Sequence, residues 1–202
     1  MDSNPATLVA LIGRPNVGKS TLFNRMTRSR DAIVDPTPGV TRDRHYAQVS
    51  LGEKVFTLVD TGGIEEESDI ITGHIRRQAM QAVDEADIIL FLMDGRGGLT
   101  PSDLEIVDLL RRTEKKVFFV VNKIDGPPQE VEFLPPFWEI GVEHLWPLSA
   151  DHGHGYQDLL DGLAAELPEA GQQQDLPEGT VKLAFLGRPN VGKSSMINEI
   201  IG

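Results

Sequence analysis

The chain has no cysteine. That excludes disulfides, thiolate metal sites and cysteine nucleophiles, and it permits a reducing compartment. Aromatic residues are only 6% of the 202, and 19 Lys and Arg face 31 Asp and Glu, a formal net charge of −12. Nucleic-acid backbones are gripped by clustered cations, so nucleic acid is not an expected partner of this chain alone. The basic clusters, Arg76 with Arg77 and Arg111 with Arg112, Lys115 and Lys116, read as solvated helix faces or helix ends. No apolar run approaches the roughly 20 residues that span a bilayer. The opening MDSNPATLVALIG has neither a basic n-region nor a long apolar core. A soluble, cytoplasmic chain with no membrane partner is therefore expected. The remainder, 40% hydrophobic and 25% charged, is ordinary for a globular protein and sufficient for one domain-sized core.

What the chain does have is a repeat. GRPNVGKST runs through Gly13, Arg14, Pro15, Asn16, Val17, Gly18, Lys19, Ser20 and Thr21. GRPNVGKSS returns from Gly187 through Asn190, Gly192, Lys193 and Ser194 to Ser195. Self-similarity over so long a separation indicates duplicated domains, because solenoid repeats recur every ~20–50 residues. Both copies fit G-x-x-x-x-G-K-[ST], in which a glycine-rich turn leaves successive backbone N–H groups free to face phosphate oxygens. Each follows an apolar, strand-like run (8–12 and 181–186) and precedes a helix-forming stretch. Phosphate would then sit at a helix N-terminus, where unpaired N–H groups and the macrodipole favour an anion.

Strand-like runs at 8–12, 46–51, 55–59, 88–93, 117–121 and 145–148 alternate with helix-compatible segments at 19–27, 75–83, 104–110 and 156–167. Runs as apolar as FFVV at 118–121 suit central strands buried on both faces. The alternation predicts an α/β fold with a doubly wound, mostly parallel sheet, and a hairpin at Gly52 and Glu53 adds one antiparallel edge. PEAGQQQDLPEGT at 168–180 is acidic and broken by Pro and Gly, as an interdomain linker is. The predicted organisation is a complete domain at 1–167, a linker at 168–180, and at 181–202 the strand, loop and part-helix that open a second domain. That last stretch has no counterpart of the motifs below, so a competent second nucleotide site is not expected there.

Three further elements specify the chemistry. In the first loop Lys19 can reach β and γ phosphates as a point charge, and the Ser20 hydroxyl can ligate magnesium. DTGG, Asp60, Thr61, Gly62 and Gly63, ends a strand-like run. Asp60 could hold magnesium through water, and Gly62 or Gly63 could bring an N–H to the γ phosphate; a plain tight turn is the other reading. NKID, Asn122, Lys123, Ile124 and Asp125, ends the FFVV run. The Asp125 carboxylate can accept from N1–H and the 2-amino group of guanine, whereas adenine offers an unprotonated N1 and no 2-amino group. Lys123 would lie along the base plane and Asn122 would brace the loop. SADHG, headed by Ser149 and Ala150, could supply a backbone N–H to guanine O6. An ATP-using P-loop kinase or ATPase shares the first loop and Asp60 but has no use for NKID. A third alternative is a nucleotide-gated binding module with negligible hydrolysis.

In this order, GRPNVGKST, PGVTRDR, DTGG, NKID and SADHG resemble the Era-type small GTPases of the translation-factor class. With the repeated loop and acidic linker, the chain resembles their bacterial tandem-G-domain members over essentially all 202 residues. The resemblance implies a P-loop NTPase with a Ras-like G domain that hydrolyses GTP to GDP and phosphate as a conformational switch. It implies Mg2+ at Ser20, Thr41 and Asp60. Full members carry two G domains and a KH-like domain and assist assembly of the large ribosomal subunit, so the ribosome or its precursor is the implied partner, through regions beyond this chain.

By the same resemblance, PGVTRDR at 38–44 is the first switch, with Thr41 its γ-phosphate sensor and Thr37 the competing candidate. Residues 62–73 form the second. Lys19, Thr41, Gly62 and Gly63 carry the catalysis. Ile64 stands where Ras-type enzymes have a water-orienting glutamine; its side chain cannot hydrogen-bond, so something else must position the water, backbone groups of Thr41 and Gly62 or Gly63 being the candidates, and intrinsic turnover should be slow. Asn16 is implied as a ligand of K+, which stands in for an arginine finger and stimulates hydrolysis; alternatively it stabilises a turn. Arg42 and Arg44 are either internal arginine fingers or surface charge. The five histidines are expected to have no catalytic or metal role, as no carboxylate or second His lies at ligand spacing.

Overall fold

The structure, a computed structural model, describes residues 7–28, 45–61 and 71–168. Six strands, β1 (Thr7–Gly13), β2 (His45–Leu51), β3 (Lys54–Asp60), β4 (Ile88–Asp94), β5 (Lys116–Asn122) and β6 (Trp146–Leu148), form one sheet in the order β2-β3-β1-β4-β5-β6. β1 pairs in parallel with β3 and β4, β4 with β5, and β5 with β6. β2 runs antiparallel to β3, with Leu51 opposite Lys54 across the Gly52–Glu53 turn. The mostly parallel sheet with one antiparallel edge is thus present as expected.

Period-two alternation buries both faces of this sheet. Val9 and Leu11 of β1, with Ile88, Leu90 and Leu92 of β4, pack beneath α1 (Lys19–Arg28) and α5 (Tyr156–Glu166) through Leu22, Met26, Leu159 and Leu163. Ala10 and Ile12, with Ile89, Phe91 and Met93, pack beneath α2 (Ile71–Glu85) and α3 (Pro101–Leu110) through Ala79, Ala82, Ile106, Val107 and Leu110. This is why IILFLM reads as an unbroken apolar run: β4 has no solvent face.

Helix α3, expected over 104–110, starts three residues earlier, at Pro101. Pro101 supplies a preset φ at the first turn, and Thr100 and Asp103 form a capping box, the Thr100 N–H donating to Asp103 Oδ2 at 3.0 Å. The expected strand at 145–148 is a residue shorter, and the helix expected at 75–83 extends over Ile71–Glu85. Helix α4 (Pro127–Phe133) and a 3-10 turn at Pro135–Ile140 were not expected. Both begin on a Pro-Pro pair, which reads as loop punctuation yet is tolerated in a first helical turn because those N–H groups have no intrahelical acceptor.

Residues 169–202, which hold nearly all of the expected linker and the repeated loop, lie outside the described residues. Among those described, no helix is long and apolar enough to cross a membrane. The C-terminal ends of β1, β3, β4, β5 and β6 share one edge of the sheet. Adjacent β1 and β4 send their connections to opposite sides of it, which creates the crevice where α/β folds bind ligands.

Candidate functional site

At that edge the first loop leaves β1 and enters α1. Pro15 and Asn16 are exposed while Val17 tucks into the core at 1% exposure. Asn16 has φ 63, a left-handed conformation that Asn tolerates better than most side chains. This conformation suits Asn whether or not its side chain also ligates an ion. Gly18 has φ +100, and a Cβ there would meet Asn122 Nδ2 at 2.2 Å; only glycine fits. Lys19 is buried and curls back over the loop, donating to the carbonyls of Gly13 and Arg14, both at 2.8 Å.

Ser20 and Thr21 are exposed in the first turn of α1. Ser20 Oγ donates to Asp60 Oδ2 at 3.0 Å, bringing a hydroxyl from the loop beside a carboxylate from the end of β3. Two oxygens converging this way suit a hard divalent cation. The Thr61 hydroxyl faces inward and donates to Leu11 O at 2.7 Å, tying β3 to β1. Arg14 leaves the loop sideways: its Nε donates to the fully buried Asp103 at 2.9 Å and its Nη2 to Gly98 O at 3.3 Å.

The second half of the site is built from the ends of β4, β5 and β6. Asn122, 2% exposed, donates through Nδ2 to Val17 O at 2.8 Å and accepts the Ala150 N–H on Oδ1 at 2.9 Å, so one buried amide binds three loops together. The Ala150 N–H, which heads the stretch expected to reach guanine O6, is therefore engaged within the protein. Lys123 has φ 69, uncommon for a lysine, and its Nζ lies 2.5 Å from Asp94 Oδ2. Ile124 is a core residue whose N–H donates to Leu148 O at 2.9 Å. Asp125 accepts from Ser149 Oγ on Oδ1 at 2.8 Å and from Arg96 Nη2 on Oδ2.

These contacts set the charges. The Ser149 hydrogen bond, aided by the Arg96 guanidinium and opposed by partial desolvation, holds the Asp125 carboxyl below its ordinary 3.8. Burial works against a charged Asp94, but the Lys123 ammonium and the N–H groups of Gly97 and Arg96 outweigh it and keep this carboxyl low as well. Both are carboxylates at neutral pH.

Several of these partners escaped the sequence reading. Asp94, Arg96 and Arg25 belong to no motif; Arg25 reaches from α1 to the carbonyls of Ala150 and Asp151 at 2.7 and 2.9 Å and lies over the Tyr156 ring. The one available signal for Asp94 and Arg96 was their position after a buried parallel strand. His154 Nε2 sits 2.5 Å from Glu130 Oε1, so this histidine does meet a carboxylate, supplied by the unexpected α4. Among the described residues no group of three or more His, Asp or Glu could hold a metal. Arg76, Arg77, Arg111 and Arg112 are exposed, as expected of solvated basic clusters. Thr37, Thr41, Arg42, Arg44, Gly62, Gly63 and Ile64, and the second copy with Gly187, Asn190, Gly192, Lys193 and Ser194, lie outside the described residues.

Curated relatives are similar along nearly the whole chain. GTPase Der of Citrifermentans bemidjiense is 50% identical, and that of Geobacter metallireducens 52% identical, over 196 residues, covering 96% of this chain and 44% of each relative. The chain thus spans less than half the length of the relatives it matches. Among solved structures it is similar to Era from Aquifex aeolicus bound to GDP.AlF4-, with 31% identity, a TM-score of 0.62, and coverage of 80% of this chain and 57% of that one. It is likewise similar to Era in complex with MgGDPNP and a segment of 16S ribosomal RNA, with 31% identity, a TM-score of 0.64, and coverage of 88% and 61%. The model of the family described as 50S ribosome-binding GTPase matches residues 8–123 and 182–202. With a phosphate-type loop and an NKID loop joined through Asn122 at one sheet edge, the chain belongs to the 50S ribosome-binding GTPase family.

Proposed function

We propose that this chain binds guanine nucleotide and hydrolyses GTP to GDP and phosphate, as the switch domain of a protein that acts in assembly of the large ribosomal subunit. The observation that carries the reading is the held Asp125 carboxylate, fixed by Ser149 and joined through the Asn122 brace to the first loop. Guanine presents two adjacent donors to such a carboxylate, and adenine does not. The backbone N–H groups of the loop at 13–18, all but that of Pro15, which has none, cradle the phosphates with Lys19. Ser20 directly and Asp60 through water would hold Mg2+, which would neutralise charge that develops on the phosphates. Since the Ala150 N–H is engaged, the neighbouring Asp151 N–H, which meets no acceptor among the described residues, is the better donor to guanine O6.

The finer assignments follow the family resemblance. Thr41, Gly62 and Gly63 sense the γ phosphate, and Ile64 leaves water positioning to backbone groups. Asn16 ligates K+ beside the phosphates; equal hydrolysis rates in sodium and potassium chloride would remove that role. Domain boundaries at 167 and 180, and a second, incomplete loop at 187–195, complete the reading. The test is nucleotide binding and single-turnover phosphate release with GTP and ATP. Preference for ATP would make the chain a different P-loop enzyme, and GTP binding without phosphate release would make it a binding module. Asp125→Asn should shift preference from GTP to xanthosine triphosphate, because the amide offers a donor where xanthine has an oxygen.

A further inference from the structure

Arg96 has no part in any motif of the chain, yet its guanidinium contacts the carboxylate on which the guanine reading depends. Its own backbone is fixed: the N–H groups of Arg96 and Gly97 both donate to Asp94 Oδ1 at 3.0 Å, and Asp94 Oδ2 takes Lys123 Nζ at 2.5 Å. Residues 94–97 therefore grip the 122–125 loop twice, with opposite charges. Asp94 holds the lysine, Arg96 holds the aspartate, and the two held residues are separated only by the buried Ile124.

A carboxylate has about four acceptor positions, two on each oxygen. Ser149 Oγ uses one on Oδ1 and Arg96 Nη2 uses one on Oδ2. One position then stays open on each oxygen, which matches the two donors of the guanine edge. Clamped from both sides by different loops, the carboxylate cannot rotate to present a single oxygen. We propose that Arg96 is a specificity-determining positioning residue, which fixes the Asp125 carboxylate in the orientation that reads both N1–H and the 2-amino group. This rests on the guanine-binding reading above.

The pair cannot be there mainly for stability. Arg96 is 53% exposed at its side chain, and exposed ion pairs contribute little to folding. The effect should appear in base discrimination, where misorientation of an acceptor matters most. Inosine triphosphate lacks only the 2-amino group, so the ratio of GTP to ITP affinity reports whether the second oxygen is in place.

The experiment measures GTP and ITP affinity for the 202-residue chain and for R96A, R96K and D125N, with thermal unfolding as a check on folding. R96A should bind GTP about tenfold more weakly and lose most of its preference over ITP, with a melting midpoint within about 2 °C of the parent. R96K, a point charge without the planar fork, should recover part of the preference. Unchanged GTP affinity in R96A, equal loss for both nucleotides, or tighter GTP binding because the arginine competes with the base, would each overturn the proposal while D125N still abolishes GTP preference. If D125N also binds GTP as the parent does, the guanine reading itself falls, and this proposal with it.

Discussion

At the scale of single residues, the site is decided by backbone conformations and charges that few side chains could satisfy. Gly18 has a left-handed φ and the Asn122 amide where a Cβ would be. Gly18→Ala should therefore cost about 1–3 kcal/mol in strain, displace the brace, and abolish nucleotide binding by fluorescence titration. Gly52→Ala is the control: φ is +61 but nothing lies within 4 Å, so it should destabilise mildly and leave binding intact. The lowered carboxyl of Asp94 gives a signed pH dependence. A group whose folded-state value is depressed adds stability above its unfolded value and loses it as pH falls through the folded one. The stability gap between the parent chain and Asp94→Asn should hold from neutral pH down to about pH 5 and close only below 3.8 in urea titrations.

Elements carry the next set of constraints. Helix α3 begins at the capping box that contains Asp103, and the same buried carboxylate takes Arg14 from the first loop. A local device that starts a helix thus also anchors the loop that faces phosphate. Asp103→Ala removes the side-chain half of the capping box and leaves the Arg14 guanidinium, 22% exposed, with only the Gly98 carbonyl among the described residues. The expected loss is about 3 kcal/mol, read as a lower urea midpoint, with weaker GDP binding alongside. The period was legible because it is local, and it led to a helix expected over 104–110; the equally local signal of Thr100-Pro101 followed by Asp103 was missed, and it sets the true start at Pro101. Helix α4 was not legible, since its Pro-Pro opening favours loop and helix start alike.

For the whole molecule, the two faces of the sheet and the ligand edge act as one unit, because every loop of the site is the continuation of a buried strand. A ligand that joins these loops should stabilise the entire described domain. At a GTP concentration about a hundred times its dissociation constant the gain is about 2.7 kcal/mol, or roughly 5–10 °C in melting midpoint for a domain of this size. ATP at the same concentration should give no shift, a comparison that thermal denaturation settles directly. The acidic balance of −12 belongs to this scale also. It weighs against non-specific contact between this chain's own surface and a nucleic-acid backbone.

The sequence by itself determined the six strands, the longer helices and their succession along the chain. Strand and helix periodicities are local, so the sheet and its antiparallel edge were readable in advance; NKID and the phosphate loop each fit within a few residues, which is why the proposed choice of guanine over adenine could be framed from the sequence. What only the tertiary structure decided is which residues complete those motifs. Arg96 meets Asp125 across 29 positions, Arg14 meets Asp103 across 89, and Arg25 reaches Ala150 across 125. Each contact exists because the strand order brings the ends of β1, β4, β5 and β6 to one edge. No local pattern encodes that order, so a charged residue after a buried strand becomes meaningful only once its neighbours in space are known.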